Sequence, residues 1–484
     1  MLNLFYKLYY YSNLSYNVYQ YYQSYIQHNK PDILLLDKII KYIHLCGSVM
    51  SKFCQWITPL LEIMYIEEND LLHKNRKKPL WLQKLEIFYE HCYEHDIQYT
   101  YDEYKRVFNK SFIEKYTILE ILGSGSIGQV YLIEDKQKNQ FVMKILHPEV
   151  HSEIQFFKRF YHFINFFPCI RKKINEYFPV DIHEFILSFE QQSDFIYEAN
   201  NLLKFYNIYQ NNDFIIIPQL YQVSSSILIM SYEKGTSYDD LTLNHYHKFK
   251  LVNLLNLFIR NSWSITNFNH GDIHKGNWKI KIDEENNKHK LIFYDYGFCF
   301  EMPLYNFYII EIIIDLFESS DEDKYIDIDK ISEIIYCTII SDETNEDYIR
   351  YLKKKIKQYS IDKLNDIKPW QMNPIFLVKL VIQFCLLEKV QLHHIVLQFF
   401  IISIQVEILL DEFGLKSSNT NKIKSYTVYR ERYLDIIALC KTYDIFPEYK
   451  QYLQNKLNDK QPEINALFDT IDMPDSIKKI ALGN

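Results

Sequence analysis

The chain has 484 residues, more than one compact core usually organises, so two or three packed units are expected. Hydrophobic residues make up 48% of the chain, which excludes general disorder. The formal net charge of -8 provides no basic surface for a polyanion, so nucleic acid is excluded as a partner.

The eight cysteines are scattered and none belongs to a CxxC pair, so neither a zinc site nor a disulfide scaffold is indicated. Reduced thiols predict an intracellular location, and the N-terminus lacks the layout of a secretory signal. Charged and amide side chains interrupt the most apolar stretch, Ile375–Leu410, every few residues. This stretch therefore predicts buried helices rather than a bilayer span, which needs roughly 20 uninterrupted apolar residues. The compartment stays open.

The first 112 residues predict mainly helix, because apolar residues recur at helical spacing through Asp32–Cys46 and Met50–Met64. Strand character begins near Lys115 and continues through a glycine cluster and a charged turn at Glu134–Asn139. The strands are predicted at Tyr116–Leu122, Val130–Ile133 and Phe141–Leu146.

Helical spacing returns from about Glu149 to Asn211, with breaks at Pro168 and Pro179, and again beyond Gly235. Together these patterns predict an α+β protein in which a small β-rich lobe precedes a larger helical lobe. The further strands are predicted at Phe214–Ile217, Ser226–Met230, Lys279–Ile282 and Leu291–Phe293.

The segment Gly123–Val130, which follows Leu122, reads GxGxxGxV, and such glycines let backbone amides approach phosphate oxygens closely. A dinucleotide-binding loop would open directly into a helix, whereas strand-type residues follow here, which favours a kinase hairpin. On its own the motif also fits a purely structural hairpin. The candidate phosphate-binding residues are Gly123, Ser124, Gly125, Ser126, Gly128 and Val130.

Lys144 ends the next predicted strand, where a lysine can reach the α- and β-phosphates of a nucleotide. A single lysine at a strand end is usually a solvated charge. Its distance from the glycine loop is what makes Lys144 a candidate.

The segment His270–Asn277 reads HGDIHKGN and has the spacing of the HRDxxxxN catalytic loop of kinases. In that loop the aspartate, here Asp272, orients the nucleophile, and the asparagine, here Asn277, holds magnesium. Farther along, Asp295 stands in a Phe-Tyr-Asp-Tyr-Gly segment where DFG would be, so it is the second candidate magnesium ligand. Four elements in the right order make coincidence improbable.

Three segments together resemble the UbiB-type (aarF-domain) atypical kinases, a family associated with ubiquinone biosynthesis. They are SIGQV at 126–130, DFIYEAN at 194–200 and HGDIHKGN at 270–277. The resemblance covers about residues 40–305. It implies a bilobal protein-kinase-like fold with a helical N-terminal extension and helices inserted in the N-lobe. The implied domains are the extension at 1–112, the N-lobe at 113–232, and the C-lobe with its tail at 233–484.

The resemblance implies further site residues. Glu198 would pair with Lys144 although inserted helices separate them in the sequence. Lys52 and Gln55 match the family's regulatory KxGQ helix, with Cys54 in place of its glycine. The family's phosphate loop is alanine-rich, whereas this chain has Gly-Ser-Gly at 123–125. In the family, the alanine-rich loop and the KxGQ helix are thought to disfavour protein phosphorylation. Both departures therefore imply that protein phosphorylation is less strongly disfavoured in this chain.

ATP and Mg²⁺ are the implied cofactors, and the implied partners are ATP, an unknown phosphate acceptor and a peripheral membrane or lipid contact. Adenine is expected near Ile227–Glu233, with Met230 in the gatekeeper region and Glu233 at the linker between lobes. His274 has no assigned chemistry, and capping of its loop is at least as good an interpretation as catalysis.

The acceptor stays open among a small molecule, a lipid-linked group and a protein. One alternative is a conventional serine/threonine kinase. The missing APE motif, Gly271 in place of the HRD arginine, and the long Lys144–Glu198 separation speak against it. The other alternative is a pseudokinase that binds nucleotide and regulates partners, which the presence of all key acidic residues disfavours.

Overall fold

The structure is a computed structural model, and the chain divides into two compact units. Unit 1 comprises Met1–Phe167, His183–Asn200 and Gln219–Tyr232, and unit 2 comprises Pro168–Ile182, Asn201–Pro218 and Glu233–Asn484. The structure describes residues 2–28, 32–65, 79–85, 87–90, 94–169, 180–210, 212, 214–241, 247–248, 251–252, 254–255, 258–259, 262, 266–283, 288–302, 326–340, 345–365, 367 and 374–411.

Within its described residues, unit 1 begins with five helices. They are α1 (Leu2–His28), α2 (Ile33–Cys46), α3 (Ser48–Tyr65), α4 (Leu80–Leu85) and α5 (Ile87–Glu90). Asp32 caps α2 by accepting a hydrogen bond from the Leu35 amide at 3.1 Å, and Gly47, with a φ of 99°, ends it. One buried cluster joins α1, α2, α3 and α5 through Leu14, Ile39, Ile43, Cys46, Cys54 and Phe88. The two helices predicted within 32–64 are confirmed.

A five-stranded antiparallel sheet follows helix α6 (Ile97–Phe108). Its strands are β1 (Tyr116–Ser124), β2 (Gly128–Asp135), β3 (Gln140–Leu146), β5 (Leu220–Val223) and β6 (Ile227–Ser231), in the order β1-β2-β3-β6-β5. Side chains two residues apart point to the same face of a strand. One face therefore buries Tyr131, Ile133, Phe141, Met143, Ile145, Ile227 and Ile229 against Tyr104 of α6 and against Phe112.

The turn between β2 and β3 is built by Asp135, whose carboxylate accepts hydrogen bonds from the amides of Gln137 and Asn139 at 2.8 and 2.9 Å. Three more helices, α7 (Val150–Asn165), α8 (Ile182–Gln192) and α9 (Phe195–Tyr209), confirm the predicted helical stretch where it is described. Pro179 lies outside the described residues.

Unit 2 contains short strands and long helices. Strand β4 (Ile215–Ile216) pairs in parallel with β9 (Lys288–Phe293), which pairs antiparallel with β8 (Trp278–Asp283). Two antiparallel pairs join β7 (Asn269–His270) to β10 (Cys299–Phe300) and β11 (Ile339–Ile340) to β12 (Gln391–Leu392). The described residues beyond β10 include the helices α10 (Ile328–Thr338), α11 (Glu346–Leu364), α12 (Pro374–Glu388) and α13 (His394–Asp411).

The α+β class is confirmed, and the apolar stretch at 375–410 forms the largely buried helices α12 and α13. None of the helices in the described part of the chain combines the length and apolarity needed to cross a bilayer. The strand predicted at Phe214–Ile217 is confirmed as β4. The sequence patterns missed β5, β7, β10, β11 and β12, because segments this short show no alternation and are defined by their pairing partners. Most of the C-terminal tail, residues 412–484, lies outside the described residues.

Candidate functional site

Lys144 and Glu198 form a buried ion pair in unit 1. The Lys144 Nζ lies 3.0 and 2.8 Å from the two Glu198 carboxylate oxygens, although the residues are 54 positions apart. Their side chains are 6% and 0% exposed, and the Lys144 Nζ also lies 5.2 Å from the centre of the Phe195 ring. Residue 144 is positioned by the β3 ladder and residue 198 by the first turns of α9. The predicted pairing is confirmed, and its role in binding phosphate stays a prediction.

The glycine loop connects β1 to β2, and only its third glycine is required by packing. A Cβ on Gly128 would lie 2.7 Å from the Ile145 carbonyl oxygen, because β2 and β3 run side by side there. A Cβ would meet no atom within 4 Å at Gly123 and only the Gly128 carbonyl oxygen, at 3.7 Å, at Gly125. Alanine therefore fits sterically at both positions where the resembled family is alanine-rich. Val130 follows on β2, half-buried and paired with Gly123.

Helix α3 contacts this loop through Gln55. The Ser126 hydroxyl donates a hydrogen bond to Gln55 Oε1 at 3.2 Å, and Gln55 Nε2 donates to the Phe88 carbonyl at 2.5 Å. Both ends of the Gln55 amide are thus engaged, which holds Ser126 against the N-terminal helices. Lys52 lies one turn earlier on α3 and is half-buried.

In unit 2, the predicted catalytic loop is held by its own side chains. Asn277 Nδ2 donates to the Asp272 carbonyl at 2.9 Å, and the Trp278 indole donates to the Ile273 carbonyl at 3.1 Å. His274 Nδ1 accepts a hydrogen bond from the Gly276 amide at 3.1 Å and caps the short turn at Lys275–Asn277. The loop-capping interpretation of His274 is confirmed.

His270 connects the predicted catalytic loop to the segment that carries Asp295, a role that sequence reasoning did not assign. Its Nε2 lies 3.0 Å from the Tyr294 carbonyl oxygen, and its Nδ1 accepts a hydrogen bond from the Asp272 amide at 3.2 Å. These partners require the proton on Nε2, and complete burial lowers the pKa of His270 so that the ring is neutral at pH 7. The sequence feature that could have indicated this role is the position of His270 as the first residue of the HGDIHKGN motif.

Asp295 adopts a left-handed backbone conformation, with φ of 53°. Its Oδ1 accepts a hydrogen bond from the Gly297 amide at 3.1 Å, and the preceding Tyr294 amide donates to the Asn277 carbonyl at 2.8 Å. Aspartate is among the non-glycine residues that tolerate this conformation. The backbone bond places the two predicted magnesium ligands on adjoining segments.

The donor set of these two residues fits magnesium, which prefers carboxylate and amide oxygens and takes further ligands from phosphates and water. Because Asn277 Nδ2 already donates to a carbonyl, its Oδ1 is the amide atom that can ligate. Within the described residues, no group of three or more His, Cys, Asp or Glu side chains has metal-binding geometry.

Gly271 stands where HRD kinases carry arginine, and close packing explains it. A Cβ at this position would lie 2.5 Å from Cδ1 of the Phe298 ring. The Gly271 amide donates to the Phe298 carbonyl at 2.7 Å, and its own carbonyl accepts a hydrogen bond from Gln398 of α13. A residue with any side chain would have to displace the Phe298 ring.

Gly271→Ala is therefore expected to destabilise unit 2 by about 1–3 kcal/mol, the usual cost of overpacking. Urea unfolding followed by tryptophan fluorescence measures this change. Adding Phe298→Ala to Gly271→Ala should remove the clash and recover part of the loss. Gly123→Ala, which meets open space, serves as the control and should change the unfolding midpoint little. A Gly271→Ala protein as stable as wild type would contradict the steric explanation.

The expected adenine-binding residues lie at the end of the unit 1 sheet and the start of the next segment. Met230 is buried on β6, where it pairs with Val142 and Leu220. The Glu233 carbonyl accepts a hydrogen bond from the Tyr294 hydroxyl at 2.7 Å, and its carboxylate lies 3.7 Å from Lys281 Nζ. Simple core packing accounts for Met230 equally well.

The chain is similar to proteins of one kinase-like family. Residues 95–327 match the family model described as ABC1 atypical kinase-like domain. The chain is 28% identical over 256 residues to a Dictyostelium discoideum protein named probable serine/threonine-protein kinase abkC, covering 51% of this chain and 35% of that protein. It is 26% identical over 194 residues to ACTIVITY OF BC1 COMPLEX KINASE 3, chloroplastic, of Arabidopsis thaliana, covering 38% of this chain and 26% of that protein.

Among solved structures, the Rv3197–erythromycin complex from Mycobacterium tuberculosis matches with a TM-score of 0.38 and 13% identity, covering 59% of this chain and 80% of that one. The chain spans only 35% of the length of the Dictyostelium discoideum relative and 26% of the length of the Arabidopsis thaliana relative.

Proposed function

We propose that the chain is a magnesium-dependent, ATP-binding kinase or ATPase of the UbiB type, a proposal supported by the match of residues 95–327 to the family model of the ABC1 atypical kinase-like domain. The observation that carries this proposal is the buried Lys144–Glu198 pair. Burying two charges is costly, and it does not by itself add stability over an apolar pair of similar size. A lysine fixed in this way beside a glycine loop is the arrangement that kinases use to hold the α- and β-phosphates.

In the proposed mechanism, each residue group has a separate task. Lys144, positioned by Glu198, binds the α- and β-phosphates, and the amides of the glycine loop bind phosphate oxygens. Asp272 orients the acceptor hydroxyl or a water molecule. Asn277 and Asp295 would hold Mg²⁺, which neutralises the negative charge of the phosphates. Positioning and electrostatics of this kind account for most of the catalysis in phosphoryl transfer.

The acceptor is proposed only as a class: a small molecule, a lipid-linked group or a protein hydroxyl. A Cβ would meet open space at Gly123 and only an ordinary van der Waals contact at Gly125, which supports the view that these glycines are not needed for packing. They change how closely phosphate and acceptor approach the loop. Gln55 keeps a contact with Ser126, so part of the resembled regulatory helix is retained although Cys54 replaces its glycine.

Binding and turnover of ATP by the full chain test the proposal. Calorimetry with ATP should detect binding that Mg²⁺ strengthens, and phosphate release should stop when EDTA removes the metal. Parallel reactions contain no acceptor, a generic protein substrate, or anionic vesicles with ubiquinone-like lipids. A wild-type chain that binds no nucleotide would contradict the proposal. Binding without turnover in every reaction would favour the pseudokinase alternative, and strong phosphorylation of the generic protein would favour a conventional kinase.

A further inference from the structure

Two buried histidines lie directly beneath the glycine loop. His147 follows β3, and its Nε2 is 3.1 Å from the Gly125 carbonyl oxygen and 3.3 Å from the Ser124 hydroxyl. Its Nδ1 is 2.8 Å from Nδ1 of His95, which precedes α6. Both side chains belong to residues only 5% exposed. The loop, both histidines and their partners all belong to unit 1.

The partners of His147 determine where its proton lies. A carbonyl oxygen only accepts hydrogen bonds, so the bond to Gly125 requires the proton on His147 Nε2. The His147 Nδ1 of the neutral ring is then an acceptor. The short contact between the two Nδ1 atoms therefore requires His95 to carry its proton on Nδ1 and to donate it to His147.

The rest of the network fixes the same proton arrangement for His95. With Nδ1 protonated, His95 Nε2 is an acceptor, so the Thr100 hydroxyl, 3.0 Å away, must donate to it. The Tyr131 hydroxyl, 2.9 Å from the Thr100 hydroxyl, then donates to Thr100 and accepts a hydrogen bond from Gln129 Nε2 at 2.9 Å. Gln129 Oε1 in turn accepts from the His95 backbone amide at 2.9 Å, which fixes the amide orientation.

These bonds form one hydrogen-bond chain, in which each group donates to the next group in the same direction. It runs from Gln129 through Tyr131, Thr100, His95 and His147 to the Gly125 carbonyl. Reversing it would leave the Tyr131 hydroxyl accepting from both Gln129 and Thr100, with its own hydrogen directed at neither. Burial lowers the pKa of His147, and burial together with His147 lowers the pKa of His95 to about 4, so both rings are neutral at pH 7.

The last bond sets the direction of one peptide group in the loop. The Gly125–Ser126 peptide is planar and trans, so its N–H points opposite to its C=O. Because the Gly125 carbonyl points toward His147, the Ser126 amide points away from the buried histidines. The His147 amide also donates to the Ile127 carbonyl at 2.8 Å, so one residue holds two carbonyls of the loop.

We propose that His147 is a positioning residue of the glycine loop. The hydrogen-bond chain through His95 selects the His147 tautomer that carries its proton on Nε2. That ring holds the Gly125–Ser126 peptide so that the peptide N–H is directed to a phosphate oxygen. The role in phosphate binding rests on the function proposed above. The hydrogen-bond chain itself does not, and it is tested separately.

Replacing His147 by residues that keep or lose the donor tests this role. In His147→Gln, the Gln Nε2 can take the place of the imidazole Nε2, whereas His147→Leu fills similar space without a donor. In His147→Leu, hydrogen exchange of the backbone amides, measured on a peptide that covers residues 123–128, should be about three- to tenfold faster than in the wild type. ATP binding should weaken by a similar factor, because one hydrogen bond is lost. His147→Gln should recover most of both. Exposed His162→Leu is the control for loss of a histidine.

Long-range ¹H–¹⁵N spectra of histidine-labelled wild-type protein at pH 7 provide a second readout that needs no nucleotide. The signal sets missing in His147→Gln and His95→Gln identify the two rings. His147 should show the Nε2–H pattern and His95 the Nδ1–H pattern. The opposite tautomers, a charged ring, equal losses in His147→Leu and His147→Gln, or unchanged loop exchange in His147→Leu would each overturn the proposal. A wild-type protein with the expected tautomers and loop protection but no ATP binding would contradict the proposed function alone.

Discussion

Asp295→Asn is expected to lower magnesium-dependent ATP turnover by at least about a hundredfold, because it removes the charge that we propose holds the metal beside the phosphates. Nucleotide binding without metal should change much less. Initial rates of phosphate release at saturating ATP, measured across a range of Mg²⁺ concentrations, check the expectation. Part of the lost rate should return at high Mg²⁺ if the amide still provides one weak oxygen ligand.

This substitution alters the charge and little else. Asn keeps the Oδ1 that accepts the Gly297 amide, and Asn tolerates the left-handed backbone that Asp295 adopts at φ of 53°. The matched control is Asp347→Asn on α11, whose side chain is 90% exposed. Equal turnover by wild type and Asp295→Asn would mean that the metal ligand is wrongly assigned or that a contaminant hydrolyses the ATP.

The sequence predicted the elements whose signals are local. Apolar residues at helical spacing identified α2, and strand-type residues on both sides of a charged turn identified β2 and β3. The partnership of Lys144 with Glu198 was also predicted, although 54 positions separate them. Family motifs supplied that prediction, since neither periodicity nor composition relates two residues so far apart.

Contacts without such a motif were not predictable. His95 and His147 are 52 positions apart, and Gln398 is 127 positions from the Gly271 carbonyl that it contacts. A lone histidine or glutamine in a sequence indicates no partner, because the pairing depends on how separate elements pack. The need for glycine at 271 likewise depends on the Phe298 ring and could not be inferred from the motif alone.

In the glycine loop, the structure distinguishes the glycine that packing requires from the two that it does not. Its three glycines look equivalent in GxGxxG, yet only Gly128 lies against a neighbouring backbone closely enough to forbid a Cβ. The loop is then held from two sides, by Gln55 at the Ser126 hydroxyl and by His147 at the Gly125 carbonyl. The first two glycines are thus left available for a functional rather than a structural explanation.

Removing either partner of the Lys144–Glu198 pair is expected to destabilise unit 1 by about 3–5 kcal/mol, because each single change leaves one buried charge without its counter-charge. Lys144→Met and Glu198→Gln are the single variants, and their unfolding midpoints in urea measure the loss. The control is Lys138→Met, which breaks the ion pair with Glu134; the Lys138 side chain is 80% exposed, so the unfolding midpoint should stay close to that of the wild type.

The double variant Lys144→Met/Glu198→Gln separates stability from binding. With both charges gone, most of the stability lost in either single variant should return, since well-packed neutral side chains can replace a buried ion pair. ATP affinity should not return, because the group proposed to bind the α- and β-phosphates is missing in the double variant as well. A double variant that regains both stability and ATP binding would mean that Lys144 serves the fold alone. If Lys144 binds phosphate, the double variant should regain stability but not ATP binding.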